Sequence, residues 1–327
     1  SRVMRLIAGC AALACMAVAG TTEATEGHRW GDENGGVHYS AARPATTPGT
    51  TRVMVEVTAL CDVDAERLAQ AMNLYPNAKA FVDYRVLFDK LGRDIDAVVV
   101  STPDHTHAPA SMLAMEMGKP VYCQKPLTHH VSEARAMRQY AEDHNLITQM
   151  GIQCHSSDEY RKAVVIIQQG IIGKVKTVRA WSPKNWGYDG PAPVGSDPVP
   201  ETLNWDLWLG PRDPRPWHSA YAPVTWRGFW DFGGDVMPDM GLHHLDPAFH
   251  ALSLETPETV EATAYGEVDQ ELCSRGMFAT WRVAATDERG PVTVHWYDGG
   301  LMPERPEELE EGREMGDTYG GALYIGD

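Results

Sequence analysis

The 327-residue sequence lacks the features that mark nucleic-acid-binding, disulfide-stabilised and membrane-spanning proteins. It has 28 Lys and Arg against 45 Asp and Glu, and the net charge of −17 predicts a surface that repels nucleic acid and anionic lipids. Its six cysteines are scattered without a CxxC pair, which excludes a dense disulfide framework and argues against a structural zinc site. Its apolar runs are too short for a comfortable membrane span. We therefore expect no nucleic-acid partner, no bound metal and no membrane-spanning segment.

The sequence has instead the length and texture of a two-domain globular protein. Over residues 53–150, strand and helix signals alternate with short connections, which predicts an α/β domain with a Rossmann-type doubly wound parallel sheet. Residues 151–327 are rich in Trp, Pro and Gly and contain several strand patterns, which predicts a second α/β domain with a largely open sheet. The chain stops at Asp327 directly after a strand-like run, which indicates that this second domain is incomplete.

The atypical N-terminal segment, residues 1–52, has two interpretations. Two arginines precede an apolar stretch from Leu6 to Gly20 that ends in small residues, the pattern of a secretory signal peptide. The alternative is a first Rossmann strand, Val3 to Ala8, followed by a turn from Gly9 to Ala14. We favour the signal peptide, which would place the protein in the periplasm or outside the cell, whereas the strand would leave it in the cytoplasm.

Four stretches of the chain, taken together, resemble the Gfo/Idh/MocA oxidoreductases, the family of glucose-fructose oxidoreductase and inositol dehydrogenase. They are Ala59 to Asp64 (ALCDVD), Ser101 to His107 (STPDHTH), Tyr122 to Leu127 (YCQKPL) and Asp239 to His243 (DMGLH). The resemblance covers roughly residues 53–300. It implies a nicotinamide-dependent enzyme with a Rossmann domain, followed by an α/β domain whose open sheet carries substrate contacts and often an oligomer interface.

Asp62 is the first candidate for cofactor binding. It stands at the end of the second Rossmann strand, where a carboxylate accepts hydrogen bonds from the ribose hydroxyls, and because no arginine follows directly, NAD is favoured over NADP. The alternative is that Asp62 caps the next helix, in competition with Asp64. His105 is expected on the surface. The resemblance implies further cofactor-binding residues on later loops: Thr102, Pro103, His107, Gln124, Lys125 and Gln153.

Lys125, Asp239 and His243 are the candidate catalytic residues. Lys125 follows a strand at the ligand-binding edge of the sheet, where it can hold a substrate hydroxyl, although the commonest family form has glutamate where Gln124 stands. Asp239 and His243 are four residues apart, so on a helix they share one face and the carboxylate can orient the imidazole. The resemblance implies that His243 acts as a general base. The alternative is that His243 is a core histidine paired with a neighbouring carboxylate. We expect the three residues to converge on one cleft.

Two further groups of residues have competing interpretations. His244 and Asp246 could be mistaken for metal ligands, but without enough partners they do not indicate zinc. Trp205 and Trp208 could line a carbohydrate pocket, and ordinary core packing explains them at least as well.

The N-terminal segment departs from the family pattern. A G-x-G-x-x-G-like turn, which seats the cofactor pyrophosphate, should lie about 20 residues before Asp62. The run from Gly31 to Gly36 stands there instead, with two acidic residues inside it and no apolar strand before it. Either residues 1–52 are scrambled relative to the family or the chain has lost its cofactor, so we predict weak NAD binding.

Three functions therefore compete. The leading hypothesis is an NAD-dependent oxidoreductase that takes hydride from a secondary alcohol of a sugar, cyclitol or related compound, with a homo-oligomer formed through the C-terminal sheet. The second is a redox-neutral glycoside hydrolase of the same fold, which would need an additional base such as Tyr297 or His155. The third is a non-catalytic binding protein that has lost its cofactor site.

Overall fold

The computed structural model describes residues 3–9, 26–31, 37–40, 51–185, 188, 190–266 and 269–327. The chain divides into two compact units. The first contains Ser1–Gly151 and Pro198–Arg215, and the second contains Ile152–Asp197 and Pro216–Asp327. The division near residue 151 is close to the expected boundary, but residues 198–215, which we assigned to the second domain, pack with the first. Within the described residues, no helix is long and apolar enough to cross a membrane.

The first unit is built on one sheet of eight strands. They are β1 (Val3–Gly9), β2 (Glu26–Gly31), β3 (Val37–Ser40), β4 (Thr51–Cys61), β5 (Lys79–Phe81), β6 (Ala97–Val100), β7 (Val121–Gln124) and β8 (Thr148–Gly151). The order is β3-β2-β4-β1-β6-β7-β8, and β5 pairs with β4. All pairings are parallel except those of β2, which is antiparallel to both β3 and β4. The predicted doubly wound parallel sheet is confirmed.

The position of β1 bears on the N-terminal segment. This strand lies between β4 and β6, with Leu6 opposite both Val57 and Ala97. Val3 to Ala8, the residues of the strand interpretation, thus belong to a strand inside this sheet. The turn predicted from Gly9 to Ala14 lies outside the described residues beyond Gly9 itself. Gly31 ends the antiparallel strand β2, so the glycine run that begins there does not follow the first parallel strand.

Four helices connect the parallel strands: α1 (Ala65–Leu74), α2 (Tyr84–Leu91), α3 (His107–Glu116) and α4 (Val131–Asp143). Local signals explain their ends. Asp64 caps α1 by accepting the backbone N–H of Glu66 at 2.9 Å. After α3, Gly118 adopts a positive φ of 71°, a conformation that glycine tolerates without steric cost.

The core of the first unit lies on both faces of β6. Val98 and Val100 pack in the cluster that includes Leu87 of α2 and Met115 of α3, while Val99 packs with Leu60 in a second cluster. Every residue of β6 is buried. A parallel strand covered on both faces needs such a continuous apolar run, which is why the sequence signal for β6 is clear.

The second unit contains one five-stranded mixed sheet, with helices against one face. Its strands are β9 (Thr177–Trp181), β10 (Thr259–Tyr265), β11 (Gly276–Val283), β12 (Val292–Tyr297) and β13 (Gly321–Ile325), in the order β10-β11-β12-β9-β13. Helices α5 (Asp158–Gln168) and α6 (Leu242–Ala251) share their core with this sheet through residues such as Val164, Leu245, Val178 and Trp296. The predicted second α/β domain with a largely open sheet is confirmed.

Candidate functional site

Three candidate residues of the first unit share one edge of its sheet. Asp62 follows β4, Thr102 follows β6 and Lys125 follows β7, and these strands run in parallel within the sheet. The carboxyl ends of parallel strands meet at the same edge, which is where open α/β sheets bind their ligands. The sheet order therefore brings these three predicted positions to the cofactor edge of the Rossmann unit.

The carboxylate of Asp62 lies in a tight loop at the end of β4. Its Oδ1 accepts the backbone N–H of Asp64 at 2.9 Å, and the Asp62 N–H donates to the carbonyl of Phe81 at 3.2 Å. Asp64, and not Asp62, provides the side-chain cap of α1. The helix-capping alternative for Asp62 is therefore wrong, and its carboxylate lies at the end of β4.

The loop after β4 is hydrogen-bonded to a segment that is distant in sequence and contains Thr202 and Asn204. The Ala65 N–H donates to the carbonyl of Thr202 at 2.8 Å, and the Asn204 N–H donates to the carbonyl of Val63 at 2.9 Å. A cavity of about 470 Å³ between the loop and this segment is lined by residues including Val82 and Glu201. No pattern in the sequence indicated that residues 198–215 return to the Rossmann unit.

His107 ties two loops of the cofactor edge together. Its ring is buried, with Nε2 at 2.7 Å from the carbonyl oxygen of Thr102 and Nδ1 at 2.7 Å from that of Pro126. Both partners are acceptors, so both contacts are satisfied only when each ring nitrogen carries a proton. The ring thus fixes the loop after β6 against the loop after β7, which is an indirect contribution to a cofactor site. Pro103 belongs to the same loop, and its carbonyl accepts the N–H of Thr106 at 2.9 Å.

His105, expected on the surface, is fully buried. Its Nε2 donates to the carbonyl of Trp208 at 2.9 Å, and the two rings are 4.9 Å apart. Trp208 lies in a short helix, Trp205–Leu209, that covers this loop, and its ring also stacks on Trp205. The prediction for His105 was wrong because the covering helix comes from a distant part of the chain. Both tryptophans are buried, which supports core packing over a carbohydrate pocket.

Gln124 and Lys125 extend from the end of β7. Gln124 lies against Gly151 at the end of β8, where a Cβ atom would come within 2.8 Å of the Gln124 Nε2. Glycine at that position leaves room for the amide beside the neighbouring strand. The Lys125–Pro126 peptide bond is cis, and the Lys125 side chain is half-buried at the sheet edge.

The candidate residues of the second unit lie at its first turn and on α6. Gln153 begins the 3₁₀ turn Gln153–Ser156 and is exposed. Asp239 lies in a π-helical turn, Met237–Gly241, which leads directly into α6, where His243 is the second residue. The predicted helix through both residues is therefore present, with a π turn at its start. Such turns occur often at functional sites.

Arg227 pairs with Asp239, a contact that the sequence did not indicate. The Arg227 Nε lies 3.6 Å from Oδ2 of Asp239, whose side chain is only 9% exposed. The guanidinium also lies over the ring of Trp226, 4.2 Å from its centroid. A buried carboxylate requires a paired charge or hydrogen bonds to offset the loss of hydration. Arg227 supplies that charge from a turn, Thr225–Gly228, that has no recognisable motif.

His244 and Asp246 have separate partners. His244 Nε2 lies 3.0 Å from the carbonyl oxygen of Tyr319, and burial lowers the pKa of its imidazole. Asp246 Oδ2 lies 2.7 Å from Nδ1 of His155. Across the described part of the chain, no three His, Cys, Asp or Glu side chains are grouped as metal ligands would be.

Two sequence profiles match the chain. One, described as an oxidoreductase family with an NAD-binding Rossmann fold, matches residues 34–152, and the other, its C-terminal alpha/beta domain, matches residues 158–292. The chain belongs to the Gfo/Idh/MocA oxidoreductase family. The recognition made from the four motifs is thereby confirmed.

Similar proteins include several sugar dehydrogenases. The chain is 27% identical to levoglucosan dehydrogenase of Pseudarthrobacter phenanthrenivorans over 41% of this chain and 34% of that protein. It is 27% identical to D-xylose 1-dehydrogenase [NADP(+)] of Haloarcula marismortui over 80% of this chain and 71% of the relative. An inositol 2-dehydrogenase of Rhodococcus erythropolis is 32% identical over 36% of this chain and 34% of its own length. The chain thus spans only about a third of the length of two of these relatives.

Solved structures show the same fold. The WlbA dehydrogenase of Bordetella pertussis, in complex with NADH and UDP-GlcNAcA, aligns with a TM-score of 0.61 at 15% identity, covering 100% of this chain and 78% of that one. A levoglucosan dehydrogenase in complex with NADH and L-sorbose aligns with a TM-score of 0.59 at 17% identity, covering 100% and 71%.

The acid stability of the first unit should depend on His105. Burial lowers the pKa of this imidazole from 6.5 to about 3, so below pH 6.5 the unfolded chain takes up a proton that the folded chain resists. The stability contributed by neutral His105 is complete above pH 6.5 and is lost as the pH falls toward 3. His105→Gln keeps an N–H donor for Trp208 but cannot be protonated. Between pH 7 and pH 4.5, we expect the urea midpoint of unfolding to fall less in this variant than in the wild type. An equal fall in both proteins would contradict the prediction.

Removing only the arginine of the Arg227–Asp239 ion pair should destabilise the second unit more than removing both charges. We expect Arg227→Met to lower the free energy of unfolding by about 3 kcal/mol, because it leaves the buried Asp239 carboxylate without its cation. Arg227→Met combined with Asp239→Asn should recover much of that loss, since no buried charge remains. Urea unfolding of the single and double variants measures both effects. Equal stability of wild type and Arg227→Met would show that the pair contributes nothing.

Proposed function

We propose that this protein is an NAD-dependent oxidoreductase that takes hydride from a secondary alcohol of a sugar, cyclitol or related small molecule. The observation that carries the proposal is the placement of Asp62, Thr102 and Lys125 at one sheet edge in a member of this oxidoreductase family. Names of the similar proteins agree with the substrate class, since they act on levoglucosan, xylose and inositol.

The residues at this edge fit a nicotinamide dinucleotide. Asp62 would accept hydrogen bonds from the adenosine ribose hydroxyls, and Val63, rather than an arginine, follows it, which favours NAD over NADP. Thr102, Pro103 and Gln124 would border the cofactor on the loops that His107 holds together, with Gln153 as a further contact. The bound cofactor would supply the hydride acceptor.

Proton transfer would fall to the chain's own side chains. His243 would remove the proton from the substrate hydroxyl, because an imidazole titrates near neutral pH. Asp239, paired with Arg227, would stay anionic and stabilise the imidazolium that forms. Lys125 would hold the same hydroxyl by hydrogen bonding. The expectation that Lys125 and the Asp239/His243 pair act on one substrate stays a prediction.

We infer that copies of the chain associate through the open face of the second sheet. This face, opposite α5 and α6, carries Phe278, His295 and Tyr297, with ring centroids 4.9 Å apart for Phe278 and Tyr297 and 5.6 Å for Phe278 and His295. Sedimentation should show an oligomer that Phe278→Glu dissociates, whereas a charge change on a helix, Lys162→Glu, should not. A monomeric wild type would refute this assembly.

The reaction can be tested by following two products at once. The protein should produce NADH when given NAD and free sugars or cyclitols, and His243→Ala and Lys125→Ala should each lower kcat/KM by at least about a hundredfold, as expected for an acid–base group. If both residues act on one substrate, the double variant should lose little more than either single variant. Release of aglycone from aryl glycosides without NADH accumulation would contradict the dehydrogenase.

Affinity for NAD should be limited by the turn that the sequence predicts after β1, from Gly9 to Ala14. In the G-x-G-x-x-G pattern the second glycine lets the backbone approach the pyrophosphate, and counting from Gly9 places Ala11 there and Ala14 at the third position. We expect weak binding that Ala11→Gly improves by about tenfold, because the methyl group is removed from the phosphate approach. Calorimetry with NAD measures this, and Ala19→Gly is the matched control. Tight binding by the wild type, unchanged in Ala11→Gly, would contradict this account of the turn.

A further inference from the structure

The backbone around His243 lacks a regular hydrogen-bond ladder on both sides. The π-helical turn Met237–Gly241 precedes it, and Pro247 lies four residues after it inside α6. In an α-helix the N–H at position 247 would donate to the carbonyl of His243, and proline has no N–H to donate. Main-chain geometry alone therefore fixes this turn of the helix less firmly than it would in a regular α-helix.

A side-chain bond one turn further along the helix compensates for this. Asp246 Oδ2 lies 2.7 Å from Nδ1 of His155, a contact between α6 and the turn Gln153–Ser156 that spans 91 residues of sequence. Asp246 follows His243 by three residues, so both side chains leave the same face of α6. The bond thus holds the face of the helix that presents His243.

The partners of this bond are themselves held in place. The His155 ring stacks on the ring of His250, with centroids 5.2 Å apart, and lies tilted against the ring of Tyr160, with centroids 4.6 Å apart. The Tyr160 hydroxyl lies 3.1 Å from Nδ1 of His250. Burial, with a smaller contribution from Asp246, raises the pKa of Tyr160, so the hydroxyl keeps its proton. The nearby hydroxyl of Tyr324, on β13, is also buried.

We propose that His155 is a positioning residue for His243, which holds the turn of α6 between the π turn and Pro247 by donating a hydrogen bond from its Nδ1 to Asp246. The inference rests on the proposed function in one respect, the role of His243 as the base. His155 itself exchanges no proton with substrate in this proposal.

Replacement of the imidazole by each amide separates positioning from acid–base chemistry. The side-chain nitrogen of asparagine occupies the position of Nδ1, whereas that of glutamine occupies the position of Nε2. His155→Asn therefore retains the donor to Asp246, and His155→Gln and His155→Ala lose it. Glu159→Gln, an exposed change on the first turn of α5, is the matched control.

We expect His155→Ala and His155→Gln to lower kcat by about tenfold to a hundredfold, with a smaller change in KM, since a misplaced catalytic group costs rate in this range. His155→Asn and Glu159→Gln should stay close to wild type. A second readout needs no cofactor: the ring resonance of His243, followed by NMR in the protein alone, should move in the Ala and Gln variants and stay in place in the Asn variant.

Two results would overturn the proposal. Loss of activity in His155→Asn as large as in His155→Ala would show that the imidazole itself acts as an acid or base. An unmoved His243 resonance and unchanged kcat in His155→Ala would show that the bond positions nothing. A wild-type protein that forms no NADH would instead refute the proposed function, and the His243 resonances of the Asn and Gln variants would still decide the positioning role.

Discussion

Burial of β6 on both faces is the constraint on which the first unit depends. Val98 and Val100 pack toward α2 and α3 while Val99 packs on the opposite side, so a shift of one residue would exchange the two rows and disrupt both clusters. This strand pairs with β1 and β7, and its register therefore sets where the loops after the neighbouring strands emerge. The cofactor edge is a consequence of this packing before any polar contact is made.

Polar contacts then stiffen that edge. His105 and His107 are two residues apart and both buried, yet their partners differ. Burial favours a neutral ring at His105, which hydrogen-bonds to the carbonyl of Trp208, whereas the ring of His107 lies between the carbonyl oxygens of Thr102 and Pro126. One ring anchors a covering helix, and the other joins two loops. The loop after β6 is thus held from both sides.

In the second unit, the candidate catalytic residues lie on α6 and on the π turn that precedes it. The segment from the π turn through α6 carries Asp239, His243 and Asp246 at helical spacing, with a backbone interrupted at both ends of the turn that bears His243. Side chains from elsewhere in the unit, Arg227 and His155, contact the two carboxylates. Side-chain partners thus hold the helix on either side of the interrupted turn. A group that acts in a site has to be held accurately by its surroundings, and side-chain contacts can do this where the main chain is irregular.

The sequence by itself determined the elements whose signals are local. The apolar run of β6, the capping aspartate of α1 and the motifs around Asp62, Lys125 and His243 depend on a few adjacent residues, so they could be predicted together with the family. Only the tertiary structure decided the contacts between distant segments. The burial of His105, the return of residues 198–215 to the first unit, the Arg227–Asp239 pair and the bond of His155 to Asp246 join residues far apart in the chain. No local pattern encodes such contacts, because they exist only when packing brings the segments together.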